Sequence, residues 1–118
     1  MKIRILVAEG DRTVRNELKA LLLQEGYEVD VVADGISALK YFRRYEYHLA
    51  IVDSHLPELD GKIVCRQIRK MSDLPFVILS ADADEESKLK AYDLGAEDYI
   101  VKPFSYKELL DRLNVILR

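Results

Sequence analysis

The sequence predicts an α/β domain, a parallel doubly wound β-sheet with helices on both faces. Three observations predict it. Short β-rich runs alternate five times with longer helical ones, which is the pattern of successive βα units. Three of the short runs, "IRILVA", "LAIVD" and "FVILS", are nearly all apolar, as parallel strands covered on both faces are. A chain of 118 residues that is 49% hydrophobic suits one compact domain with one core.

The elements follow in order. The first strand is predicted over Lys2–Ala8. In the helix after it, "TVRNELKALLLQEG", Val14, Leu18, Leu21 and Leu22 share one face while Glu17 and Lys19 lie off it. Gly26 stops that helix. A strand over Glu28–Val32 precedes a helix from about Gly35 to Arg44, with Ile36, Leu39 and Phe42 inward. A strand over Leu49–Asp53 precedes a helix from about Gly61 to Met71, carrying Ile63, Val64 and Ile68. After the strand Phe76–Ser80, the helix in "DEESKLKAYDLG" has few large apolar residues and is expected to be exposed. The last strand is Tyr99–Val101. The last helix, "SYKELLDRLNVILR", spaces Leu109, Leu110, Leu113 and Leu117 helically, and Ser105 with Glu108 forms a capping box at its start.

Bulk properties narrow the function. The formal net charge of −3 gives these residues no electrostatic reason to hold a nucleic-acid backbone. Cys65 is the only cysteine, so no internal disulfide forms, and a reducing cytoplasm is the expected setting. The N-terminus turns polar too soon for a signal peptide. No apolar run approaches a membrane span.

In parallel sheets of this kind, ligands sit at the carboxyl ends of the strands. Glu9, Asp53, Ser80 and Lys102 all fall at such ends. Any one is unremarkable; four on one rim are chemically coherent. A carboxylate can attack phosphorus. Carboxylates hold the hard cation that gathers phosphate oxygens. A hydroxyl and an ammonium can bind the remaining phosphoryl oxygens. Pro57 and Gly61 shape a tight loop after Asp53.

With the acidic end of the first strand, "VDSHLPELDG", "VILSA" and "GAEDYIVKPF", the chain resembles the receiver domain of two-component response regulators over its whole length. The resemblance implies a flavodoxin-like (βα)5 sheet of order 2-1-3-4-5. It implies phosphoryl transfer from a sensor histidine kinase, with Mg²⁺ as cofactor. By position, Asp53 is then the phosphoacceptor and Ser80 the switch hydroxyl. Tyr99 is the aromatic that follows Ser80. Lys102 is the phosphate-binding lysine, before a cis Lys102–Pro103 bond. Glu9 is the first member of the acidic pair, and His55 offers a backbone carbonyl to the metal.

The departure is Gly10, where the family has a second, metal-ligating acid. Loss of that ligand implies weakened or absent Mg²⁺ binding. Glu9 can reach in, Asp11 can swing in, or water can fill the gap. Asp11 also suits a helix N-cap before "RTVRNEL", the stronger of its two readings. His55 can approach the phosphoryl group, pair with Glu9 or tune hydrolysis, or stand as an exposed loop histidine. Asp82 is a solvated loop acid or a charge at the site's mouth. Cys65 reads as core packing, and His48 has no partner nameable from sequence.

Within the family the chain resembles the OmpR/PhoB-like subfamily, whose receivers dimerise through the fourth helix, fifth strand and fifth helix. The matching charges are Glu86, Lys88, Glu97, Asp98, Glu108 and Arg112. Exchange of Lys88 with Glu108, and of Asp98 with Arg112, would suit a two-fold interface; the alternative is an ordinary solvated surface. Residues 1–118 are then a receiver domain, expected to be the N-terminal part of a longer, non-enzymatic transcription regulator. DNA binding would belong to an output domain outside these residues, and no membrane partner is expected. Two rival readings remain at this level. One is an atypical receiver, a phosphorylation-independent dimerisation module. The other is a flavodoxin-fold enzyme, against which His55 stands where a phosphatase would want a second aspartate.

Overall fold

A computed structural model describes residues 2–117. Five βα units follow one another: β1 (Arg4–Ala8), α1 (Arg12–Gln24), β2 (Glu28–Val32), α2 (Gly35–Arg44), β3 (Leu49–Asp53), α3 (Gly61–Met71), β4 (Phe76–Ser80), α4 (Glu85–Asp93), β5 (Asp98–Val101) and α5 (Tyr106–Leu117). The strands form one parallel sheet of order β2-β1-β3-β4-β5. The strand order reverses between β1 and β3, which opens a crevice at their carboxyl ends. β1 starts two residues later than expected, and β5 one residue earlier.

Strand alternation divides the core. Ile5, Val7, Leu49, Ile51, Val77 and Leu79 pack with Leu18 and Leu22 of α1 and with Leu109 and Leu113 of α5. Leu6, Ala8, Ala50, Val52, Phe76 and Ile78 pack on the opposite face with residues of α2, α3 and α4. Both sides of β3 and β4 are buried, which explains their unbroken apolar sequences.

The inward assignment of Ile36 is corrected, and Ile63 on the next helix also lies outside the core. Ile36 and Ile63 are exposed, by 49% and 38%. The buried stripes are instead Gly35, Ala38 and Leu39 on α2, and Gly61, Val64, Cys65 and Ile68 on α3. Both run at i, i+3, i+4 spacing, so Ile36 and Ile63 fall a full residue step off them. Glycine heads each stripe because a loop crosses there. A Cβ on Gly61 would stand 1.8 Å from the Asp53 carbonyl oxygen.

The helix ends obey their caps. Asp11, Asp34, Asp60 and Asp84 each accept a backbone N–H from the first turn of α1, α2, α3 and α4. At α5 the capping box is half made. Ser105 Oγ accepts the Glu108 N–H at 3.0 Å, but the Glu108 carboxylate turns to Arg112. α4 buries only Ala91 and leaves Leu89 and Tyr92 exposed, as its composition implies. His48 does have a partner: its Nδ1 accepts the Arg4 N–H at 3.0 Å. Among the described residues, no helix is long and apolar enough to cross a membrane.

Candidate functional site

Every rim residue stands where a strand gives way to a loop. Glu9 follows β1, Asp53 ends β3, Ser80 ends β4 and Lys102 follows β5. Parallel register brings them together: Ala8 pairs with Val52, Asp53 with Leu79, and Ser80 with Val101. Lys102 then reaches back across the rim. Its ammonium donates to Glu9 Oε1 at 2.6 Å and also to Asp53 Oδ2. Glu9 and Asp53, 1% and 6% exposed, therefore face one another across a single shared cation.

The remaining carboxylate oxygens are held by backbone. Glu9 Oε2 accepts the Asp11 N–H at 3.0 Å, and Asp53 Oδ1 accepts the His55 N–H at 2.8 Å. Burial pushes the Glu9 pKa above the ordinary glutamate value, beyond what its hydrogen bonds from Lys102 and the Asp11 N–H recover. For Lys102, burial opposes the charge, but hydrogen bonds to Asp53 and Glu9 outweigh it and hold its pKa above the usual lysine value. An open cleft of about 400 Å³ between Gly10, Asp53, His55, Pro57, Ala81 and Lys102 leads to the acids.

Ser80 is fully buried. Its Oγ accepts the Asp82 N–H at 3.1 Å and the Ser54 hydroxyl at 2.7 Å. Tyr99 is also buried, and its hydroxyl donates to the Asp82 carbonyl at 2.6 Å. The β4–α4 loop thus joins Ser80 to Tyr99. The Lys102–Pro103 bond is cis.

His55 does not pair with Glu9. Its Nε2 lies 2.9 Å from Asp82 Oδ2 at the exposed mouth, because Lys102 already occupies Glu9. Asp11 Oδ1 accepts the Val14 N–H at 3.1 Å and so caps α1. Cys65 is buried, and burial pushes its thiol up to about 12. Two neighbours escaped the sequence reading. Arg15 Nη1 donates to the Glu9 carbonyl at 2.9 Å and fixes the β1–α1 turn. Its only sequence signal was an arginine one turn into α1. Ser54 was hidden in plain sight, being the residue after Asp53 in a chain where Ser80 follows the partner of Asp53.

The donor set suits a hard, oxygen-seeking cation, since two carboxylates aim one oxygen each at one point and an ammonium already sits there. It is also sparse. Among the described residues no cluster of three or more His, Cys, Asp or Glu could hold a metal. Gly10 offers no side-chain ligand, and a Cβ there would lie 3.2 Å from Pro57 Cδ.

On the far side of Tyr99, the charged face is paired within the chain. Arg112 bonds Asp98 and Glu108, each at 2.9 Å. Lys88 lies 3.9 Å from Glu85, and Glu86 lies 3.0 Å from Lys90. The Glu97 backbone N–H bonds the Phe76 carbonyl.

Comparison with known proteins agrees with this architecture. The response regulator receiver domain family matches residues 5–114. The chain is 43% identical over 117 residues to the probable transcriptional regulator ycf27 of Porphyridium aerugineum, covering 99% of this chain and 49% of that protein. It is 38% identical over 118 residues to the regulatory protein VanRB of Enterococcus faecalis, covering 100% of this chain and 54% of that protein. The receiver domain of the Francisella response regulator 1452 superposes with a TM-score of 0.93 at 32% identity, covering 98% of this chain and 97% of that one. The chain thus spans about half the length of the curated relatives it matches. These relatives are regulators, so neither the flavodoxin-fold enzyme nor the phosphorylation-independent module is favoured. Receiver domains generally bind Mg²⁺ at the phosphorylation site. With its 2-1-3-4-5 sheet and its rim of Glu9, Asp53, Ser80 and Lys102, the chain belongs to the response regulator receiver domains of two-component signalling, of the OmpR/PhoB-like kind.

Proposed function

We propose that Asp53 accepts a phosphoryl group from the phosphohistidine of a sensor kinase. The observation that carries this is the convergence of Asp53, Glu9 and Lys102 beneath an open cleft, with Ser80 at the end of the adjacent strand. In the transfer an Asp53 oxygen forms a bond to phosphorus, the phosphorus–nitrogen bond breaks, and the imidazole leaves. Lys102 exchanges its Asp53 bond for a phosphoryl oxygen, which keeps its charge paired. Mg²⁺, when bound, neutralises phosphoryl oxygens as a Lewis acid. Glu9, Asp53 and the His55 backbone carbonyl would hold it. With Gly10 in place of an acid, we read this site as weak.

Phosphorylation adds roughly two negative charges to the rim. Ser80 moves toward them, Tyr99 follows through the shared loop, and the α4–β5–α5 face changes. That face would then form a homodimer in which Arg112 releases Glu108 and exchanges its own Asp98 for the Asp98 of a second copy, and Lys88 leaves Glu85 for the second copy's Glu108. The exposed Leu89 and Tyr92 supply apolar contact there. DNA binding would reside in an output domain beyond these residues, and the setting would be the cytoplasm. Labelling with a small acyl-phosphate donor tests the acceptor. The protein should take up one phosphoryl group, and Asp53→Asn should take up none; labelling that survives in Asp53→Asn would defeat the assignment.

A further inference from the structure

We propose that Ser54 is a positioning residue that holds the Ser80 hydroxyl at rest and sets how readily it turns to the phosphoryl group. The proposal rests on the reading of Ser80 as the switch for Asp53. Register creates the contact. β3 and β4 pair Asp53 with Leu79, so the next residues, Ser54 and Ser80, stand side by side. The Ser54 backbone N–H is fixed on the Leu79 carbonyl at 2.8 Å. From there its hydroxyl donates to Ser80 Oγ at 2.7 Å. Both side chains are buried, and Ser80 is the only hydrogen-bond partner of the Ser54 hydroxyl among the described residues.

In turning toward a phosphoryl oxygen on Asp53, Ser80 would give up this bond. Its departure strands a buried hydroxyl, and a group left unpaired in the interior disfavours the state that strands it. A cavity of about 70 Å³ lined by Ser54, Ser80 and Tyr99 adjoins the pair. It is large enough for a water molecule, which would recover part of the loss. The remaining bias toward rest is about fivefold, at the low end for a stranded hydroxyl. Alanine at position 54 has no hydroxyl to strand, so Ser80 would be freer to move. Threonine keeps the hydroxyl and the bias.

Fluoroberyllate, a mimic of the acyl phosphate, tests this at saturating Mg²⁺, with bound probe read by fluorine NMR. Ser54→Ala should half-saturate at about fivefold lower probe concentration than the parent. Ser54→Thr should follow the parent. In a Ser80→Ala background, the Ser54→Ala change should have no effect. An unchanged midpoint in Ser54→Ala, or an equal gain with and without Ser80, overturns the proposal. The underlying reading is judged separately. Ser80→Ala alone must weaken binding; if it does not, Ser80 is no switch and the proposal falls with it. If it does and Ser54→Ala is neutral, only the role of Ser54 is lost.

Discussion

Lys102→Met isolates the interaction on which the resting site depends. In the parent, one ammonium serves two acids that are 1% and 6% exposed. Methionine keeps most of the volume and removes the charge, leaving two carboxylates face to face. Breaking a fully buried ion pair by deleting one partner costs about 3–5 kcal/mol. The Lys102 side chain is 23% exposed, so solvent screening reduces this to about 2–3 kcal/mol. With a urea slope of about 1.5 kcal/mol/M, the unfolding midpoint should fall by about 1.3–2 M. The assay is urea unfolding followed by circular dichroism, near neutral pH and without divalent cations. The pH dependence has a definite sign. Lys102 has its folded pKa above the unfolded value, so its contribution is fully present below pH ~10 and is lost as pH rises through the folded value. Glu9 has a raised pKa and takes up a proton on acidification, which relieves the repulsion in the variant and narrows the gap. Mg²⁺ should stabilise Lys102→Met by about 2.7 kcal/mol at a hundredfold excess over the variant's dissociation constant, and the parent by less. A midpoint within about 0.3 M of the parent at equal slope, or a larger Mg²⁺ effect on the parent, would refute the reasoning.

Three further outcomes are expected. Gly10→Asp should raise Mg²⁺ affinity about tenfold in a calorimetric titration, since it adds an anionic ligand. The new Cβ requires Pro57 to yield by a few tenths of an ångström, and the metal-free variant should lose roughly 1 kcal/mol from like-charge crowding. Glu9→Gln should change the pH profile of stability. A glutamate with a raised folded pKa binds its proton more readily folded than unfolded, so the parent should gain on the variant as pH falls toward 4.5 and lose ground as pH rises through the folded value, measured as urea midpoints. Glu58→Gly should raise stability by roughly 0.5–1 kcal/mol in the same assay. Glu58 has φ of 69° in the turn where the Leu59 N–H bonds the Pro57 carbonyl at 2.7 Å, a conformation that favours glycine.

Most of the fold was legible because strand burial on both faces writes itself as uninterrupted apolar sequence, as in "LAIVD" and "FVILS". Ile36 misled because hydrophobicity alone does not say which stripe of a helix meets the sheet. The glycines at the head of each stripe carry that information, through the loops they let pass. At the rim, each acid and its strand end could be placed from sequence. The side-chain pairings could not, since they depend on reach across strands. Lys102 arrives from β5 to claim Glu9, which sends His55 to Asp82 instead. The capping role of Asp11 was readable because caps are local. The Ser54–Ser80 bond needed only the register of β3 against β4, which sequence patterns do not fix to a single residue.

The central claim is that Asp53 accepts phosphoryl groups at a cation site weakened by Gly10. The most direct test follows phosphoryl uptake from a small acyl-phosphate donor by intact mass across graded Mg²⁺. A single added phosphoryl group is expected, with a half-maximal rate at about tenfold more Mg²⁺ than Gly10→Asp requires. No uptake at any Mg²⁺ concentration, or identical Mg²⁺ dependence in the two proteins, would contradict it.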